Sequence, residues 1–215
     1  MNSEYLHSII YWSDDQTCNL NVLKTMNDNP SLKQIIAEVT QHRSKNTTLP
    51  PVLDWNPPFK GDMDMRIAVD GRWYYEGGSI DREALVRLFS SILKLEADGY
   101  YYLVTPVEKF RIQVEDAPFI ATQMKNEGVG ESQQLIFTTN VGDQILASKD
   151  FPITLKIDNR GNPRPYILVR QNLKALISRN VFYQLVDLGT EVKRGGKNLL
   201  GAWSAGEFFE LGELD

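Results

Sequence analysis

Asp62, Asp64 and Arg66 alternate along one extended run, and that spacing is the chain's first opening for chemistry. Side chains on one strand face stand ~7 Å apart, so two carboxylates there repel unless an arginine or a bound cation offsets them. The pattern suits a hard-cation or polar-ligand site. A solvated strand face with a local ion pair is the bland alternative. Glu108 and Glu207 pose a different problem. Glu108 shares the parity of Phe110, Ile112 and Val114, and Glu207 that of Phe209 and Leu211, so both are expected to face the core as buried carboxylates. Such a group needs hydrogen-bond partners or a raised pKa. It could serve as a general acid or base, but its recurrence favours a structural role, satisfying a turn the fold makes twice.

Two glycine-rich stretches could hold phosphate. Gly77-Gly78-Ser79 opens a helix beside Arg82 and Arg87, and Lys193-Arg194-Gly195-Gly196-Lys197 is a basic loop. A capped helix and a solvated loop are the plainer readings of each. The aromatic set Trp55, Trp73, Tyr74, Tyr75, Tyr100, Tyr101 and Tyr102 could stack a planar ring, although alternation sends part of each run into the core. His7 and His42 are the only histidines and Cys18 the only cysteine, so from residue 49 onward neither type occurs. Nucleophilic triads and Cys/His zinc sites are thereby removed from that region. Neither a phosphate-binding loop of the G-x-x-x-x-G-K-[ST] kind nor a G-x-G-x-x-G fingerprint is present. No catalytic residue and no metal ligand set is assigned, and the cofactor stays open.

The whole composition narrows the class. A formal charge of −5 over 215 residues disfavours general nucleic-acid binding, which needs a basic surface. One cysteine excludes an internal disulfide and suits a reducing compartment. With no apolar run near the ~20 residues of a membrane helix and no secretory signal, a cytoplasmic protein off the membrane is expected.

The elements that must position these residues read as α+β. A helix is expected from Ser31, its N-cap, with Leu32, Ile35, Ile36 and Val39 on one face. Met63, Met65, Ile67 and Val69 alternate against charged neighbours, Asp70-Gly71 turns the chain, and Trp73-Tyr74-Tyr75 returns. A helix capped by Ser79 then carries Leu85, Leu88, Phe89, Ile92 and Leu93 inward as far as Asp98-Gly99, and two strands follow. Phe119–Met124, Leu135–Thr138 and Gln144–Ala147 form a meander. A second copy of the first unit is expected from Leu155 to Leu211, matching Met65 to Glu115. Its helix is aligned at Ala175-Leu176-Ile177 with Ala84-Leu85-Val86, and its turn at Gly161 with Gly71. The implied domains are 1–48 (an N-terminal extension and helix, with 1–29 peripheral), 49–116 (the first repeat), and 117–215 (meander plus second repeat).

Many ordered stretches resemble one bacterial family. They include Trp55-Asn56-Pro57-Pro58, Gly61-Asp62-Met63-Asp64-Met65-Arg66-Ile67, Asp70-Gly71-Arg72-Trp73, Val104-Thr105-Pro106-Val107-Glu108-Lys109, Val114-Glu115-Asp116-Ala117-Pro118-Phe119, Thr139-Asn140-Val141-Gly142-Asp143, Ser178-Arg179-Asn180-Val181-Phe182-Tyr183 and Gly201-Ala202-Trp203-Ser204. They are similar to the family catalogued as domain of unknown function 1285, from about residue 31 to the C-terminus. The resemblance implies a duplicated α+β architecture, a C-terminal half like a pleckstrin-homology domain, a nucleotide-like ligand between the halves, and a role in signal transduction. Phe59-Lys60 stands where the family pattern has a cysteine, so no thiol role carries over.

The expected function is a ligand-binding or sensory module rather than an enzyme. Its ligand is expected between the halves, near Asp62, Asp64, Arg66, Thr105, Lys109, Asn140 and Arg170. Arg66, Lys109 and Arg170 would take the anionic part of a nucleotide-like small molecule, and the aspartates a hydroxyl or a bridging cation. The alternatives are a hydrolase using carboxylates and a metal, and a protein-interaction scaffold with a protein partner.

Overall fold

In the computed structural model, residues 35–39 and 49–214 are described. The expected positions Ser31 and Leu32, and the peripheral segment 1–29, lie outside them. Residues 35–39 are helical, with Ile35, Ile36 and Val39 buried on one face as their spacing requires. The chain falls into two compact units, one ending at Asp116 and the other beginning at Ala117.

The first unit holds β1 (Phe59–Ile67), β2 (Trp73–Tyr75), β3 (Gly78–Ser79), helix α1 (Glu83–Ser91), β4 (Leu93–Leu95), β5 (Tyr101–Val104) and β6 (Lys109–Val114). Its sheet runs β3-β2-β1-β6-β5-β4. The alternation read in β1 is kept: Met63, Met65 and Ile67 are buried, while Asp62, Asp64 and Arg66 take the other face. Leu85, Leu88 and Phe89 of α1 are buried, and Phe89 stacks on Trp73 with ring centroids 6.4 Å apart. The helix is shorter than its apolar stripe suggests. Leu93 belongs to β4, and the cap is Arg82 without a side-chain bond; Ser79 instead bonds Asp81 at 2.5 Å.

The second unit holds β7 (Phe119–Glu127), β8 (Gln134–Thr139), β9 (Gln144–Leu146), β10 (Ile153–Ile157), β11 (Pro163–Arg170), β12 (Leu173–Ile177), helix α2 (Arg179–Asp187), β13 (Thr190–Arg194), β14 (Lys197–Ser204) and β15 (Glu207–Leu214). One sheet runs β10-β11-β12-β7-β8-β9, and a three-stranded sheet runs β13-β14-β15. Ser204, fully buried, joins the two: its hydroxyl donates to the Ala147 carbonyl and accepts from the Leu135 amide.

The duplication is real, but its copies are not those the sequence suggests. Each six-stranded sheet is two meanders, with the first strand of one lying parallel to the last strand of the other: β1 beside β6, and β7 beside β12. The copies are therefore β1–β6 and β7–β12. Ala175-Leu176-Ile177, expected in a helix, lies in β12. The helix comes later, at Arg179–Asp187, with Ser178 at its N-cap. Gly161 corresponds to Gly99, not Gly71. The misreading has a physical source: the same five-residue turn recurs. In each, the first residue's amide bonds the fifth's carbonyl and the fourth, a glycine at positive φ, bonds the first's carbonyl, at Ala68–Arg72, Glu96–Tyr100, Thr139–Asp143 and Asp158–Asn162. Only glycine meets that conformation without strain, so turn identity cannot distinguish one hairpin from another. The result is a mostly-β fold of two similar sheets with few helices, rather than an even α+β mixture.

Candidate functional site

Strand register assembles a polar face on the first unit's sheet. Asp62 lies beside Arg111, Arg111 opposite Tyr102, and Tyr102 opposite Lys94. On one side of this row Tyr74, Arg66 and Gln113 line up; on the other, Phe59, Lys109 and Val104 do. Residues in register share a face, so five strands bring cations and tyrosines together.

Three of the cations there sit over tyrosine rings. The Arg66 guanidinium is 4.4 Å from the Tyr74 centroid, Arg111 is 4.8 Å from Tyr100, and the Lys109 ammonium is 4.9 Å from Tyr102. Each also has a carboxylate. Arg66 pairs with Glu115, whose other oxygen accepts from the Val69 amide at 2.8 Å. Asp62 holds Arg111 in a two-point fork, at 2.6 Å to Nε and 2.8 Å to Nη2. Lys109 reaches Glu96 at 2.6 Å. The fork lowers the Asp62 pKa below the usual carboxylate range and raises that of Arg111. Tyr102, buried between Phe59 and Val52, donates to Asp98 at 2.7 Å. That bond pushes its pKa up to about 12 and lowers that of Asp98.

Beside the fork is a cleft of about 460 Å³, lined by Asp62, Met63, Tyr100, Arg111, Ile112 and Gln113. Its origin is a register break. Four steps along β1, from Asp62 to Arg66, match only two along β6, from Arg111 to Gln113. A bulge of this kind bends the strand and opens the ladder. Tyr100 stays half exposed, and guanidinium donors of Arg111 remain beyond the two that Asp62 takes. The cleft thus offers a ring face, an anion donor and a hydroxyl acceptor within one small volume.

The seven expected ligand residues do not all meet here. Asp62, Asp64, Arg66 and Lys109 share this face. Thr105 is fully buried in the β5–β6 turn; its hydroxyl donates to the Glu108 carbonyl and accepts from the amides of Val107 and Glu108. Asn140 and Arg170 belong to the second unit. The Asn140 side-chain oxygen accepts from the Ile120 amide at 3.0 Å. Arg170 is buried over the Phe119 ring and pairs with Asp143 at 2.6 Å; burial lowers its pKa. Their geometry is that of turn and core anchors.

Glu108 is buried, with Lys60 4.0 Å away, yet its carboxylate is not what satisfies the turn; its backbone and the Thr105 hydroxyl do that. Glu207 is exposed, contrary to expectation. It pairs with Ser204 at the tip of the β14–β15 hairpin, closed by Ala205 and Gly206 at positive φ, so parity points it past the end of the core. Sequence reasoning missed Arg111 and Gln113. Their signal was parity with Lys109 along β6.

Among the described residues, no group of three or more His, Cys, Asp or Glu is gathered as a metal would require. No helix among them is long and apolar enough to cross a membrane.

Two mostly-β units, each built on a six-stranded sheet of paired meanders, define the class of protein. The chain belongs to the DUF1285 family: the model for its N-terminal domain, a domain of unknown function, matches residues 50–117, and that for its C-terminal domain matches 118–211. It is similar to the crystal structure of a DUF1285 family protein from Silicibacter pomeroyi, with 49% identity over 84% of this chain and 95% of that one and a TM-score of 0.75. A DUF1285 family protein from Shewanella baltica OS155 is 29% identical over 59% of this chain and 92% of that one, with a TM-score of 0.46. No curated protein matches the chain.

Proposed function

We propose that the chain is a small-molecule-binding, sensory or regulatory protein of the cytoplasm, and that the cleft beside Arg111 takes a nucleotide-like ligand. The observation that carries this reading is the row of tyrosine–cation pairs on one sheet face, opened at the bulge between Asp62 and Arg66. A planar base stacks on Tyr100, a ribose hydroxyl donates to Asp62, and a phosphate takes the remaining donors of Arg111 and Arg66. Because every cation on the face already has a carboxylate, binding trades part of an existing pair for the ligand. Affinity then depends on local geometry and not on long-range attraction, in keeping with the chain's net charge of −5.

A regulatory role fits this better than turnover, since the cleft brings in no nucleophile with an adjacent base. In the second unit, α2 packs against β7 and β14. This helix-backed arrangement is compatible with the pleckstrin-homology likeness and signalling role that the family resemblance implies.

Calorimetric titration of the full chain with purine and pyrimidine nucleotides tests the reading. Arg111→Ala and Tyr100→Ala are each expected to weaken binding by roughly tenfold or more, the equivalent of ~1.4 kcal/mol, with little change in fold. Binding that both variants retain at full strength would place the ligand elsewhere.

A further inference from the structure

We propose that β13 is a self-complementary edge through which the chain pairs with a second copy of itself. The strand runs into Lys193-Arg194-Gly195-Gly196-Lys197, and the structure makes that basic loop a hairpin turn. Arg194 lies opposite Lys197, and the two glycines between them take φ of 57° and 82°. A two-residue turn with positive φ at both positions fixes which residues of β13 bond inward. Arg194 and Lys197 close the ladder as a hydrogen-bonded pair, so Arg194, Val192 and Thr190 turn their backbone groups to β14. Glu191 and Lys193 turn theirs the other way, to the outer edge of the three-stranded sheet, where no strand lies beside β13 among the described residues.

The side chains on that edge decide what can bind there. Glu191 and Lys193 share one face of the strand and are exposed, and neither has an ion-pair partner among the described residues. Charges on an edge strand ordinarily keep other strands away. Here their signs alternate about Val192, so one register accepts a copy. In an antiparallel pair centred on Val192, Glu191 stands opposite Lys193 of the second copy, and Lys193 opposite its Glu191. These are the residues with outward backbone groups, so each such pair also exchanges both backbone hydrogen bonds. On the other face Val192, half-buried beside buried Leu199, meets its own counterpart. Other registers are penalised. Centring on Glu191 or on Lys193 puts like charges directly opposite, and a parallel in-register pair does so at both positions. Of the other outer strands, β3, β4 and β9 are two or three residues long, and β10 and β15 each carry one sign of charge. Contact one strand wide is small, so the association is weak and reversible.

Sedimentation equilibrium of the full chain, from about 1 µM to about 0.3 mM, is the test. A monomer–dimer equilibrium is expected, weakened by added salt because its charge pairs are exposed. Glu191→Lys and Lys193→Glu should each weaken self-association about tenfold or more, since either variant alone sets like charges opposite each other. Both positions are exposed, so the variants are expected to keep the fold, which circular dichroism checks. Mixed together, the two variants should associate again, because each presents the charge the other needs. A double variant carrying both changes should pair like the unaltered chain. A chain that stays monomeric at the upper concentration would overturn the proposal. So would a dimer that both single variants retain, or a mixture that associates no more tightly than either variant alone.

Discussion

Single side chains divide into those the core needs and those it does not. Asp143 and Arg170 are of the first kind, with side chains 3% and 12% exposed and a 2.6 Å contact. Removing one partner of such a pair leaves the other charge largely out of water and without its counter-ion. Asp143→Ala should therefore cost about 3–5 kcal/mol in urea unfolding, and Asp143→Asn less, because an acceptor oxygen remains. Tyr102 supplies a pH signature. Its pKa in the fold is raised to about 12, first by the bond to Asp98 and then by burial. A raised pKa stabilises the fold fully below the unfolded value near ~10, and that contribution is lost as pH rises through 12. Alkaline unfolding monitored between these limits should be shallower in Tyr102→Phe than in the unaltered chain. Equal slopes would mean that the Asp98 bond does not form. Much of this scale was legible beforehand: the parity that exposes Asp62 and Arg66 and buries Glu108 follows from alternation alone. Arg170 was not, since nothing in Leu168-Val169-Arg170 says that an aspartate 27 positions earlier will meet it.

Elements were legible where local signals are unambiguous. The Asp70-Gly71 turn and the alternation of β1 both form where the sequence places them. Ala175-Leu176-Ile177 is a strand and not a helix, and a short apolar run of this kind satisfies both equally well. What decides it is pairing with β7, each residue meeting one 56 positions earlier (175 − 119), which no local window contains. The β14–β15 hairpin yields a sharp prediction. Gly201 lies where the register shifts, and a Cβ there would stand 2.5 Å from the Phe209 carbonyl oxygen and nearer still to the Phe208 ring. Because backbone cannot yield as a flexible side chain can, Gly201→Ala should destabilise by about 1–3 kcal/mol or more. Gly212→Ala, with nothing within 4 Å of its Cβ position, should cost much less. Thermal melts of the two variants compare them directly.

For the whole molecule, the duplicated sheet is the frame on which two different surfaces are written. The strand order recurs, with its parallel junction between the first and last strands of the two meanders. The side chains on that frame have diverged: the first copy carries neutralised cations stacked on tyrosines around a cleft, the second an opposed lysine and arginine. A fold can persist through such divergence because the core needs only its inward set, while the outward set is free to take on binding. The first copy's face is proposed to hold a small ring-bearing anion. Native mass spectrometry of the full chain purified from its own host tests it most directly. A retained molecule with the ultraviolet absorption of a nucleobase is expected, lost in the Tyr100→Ala, Arg111→Ala double variant while the protein stays folded. A retained molecule of undiminished occupancy in that double variant would contradict it.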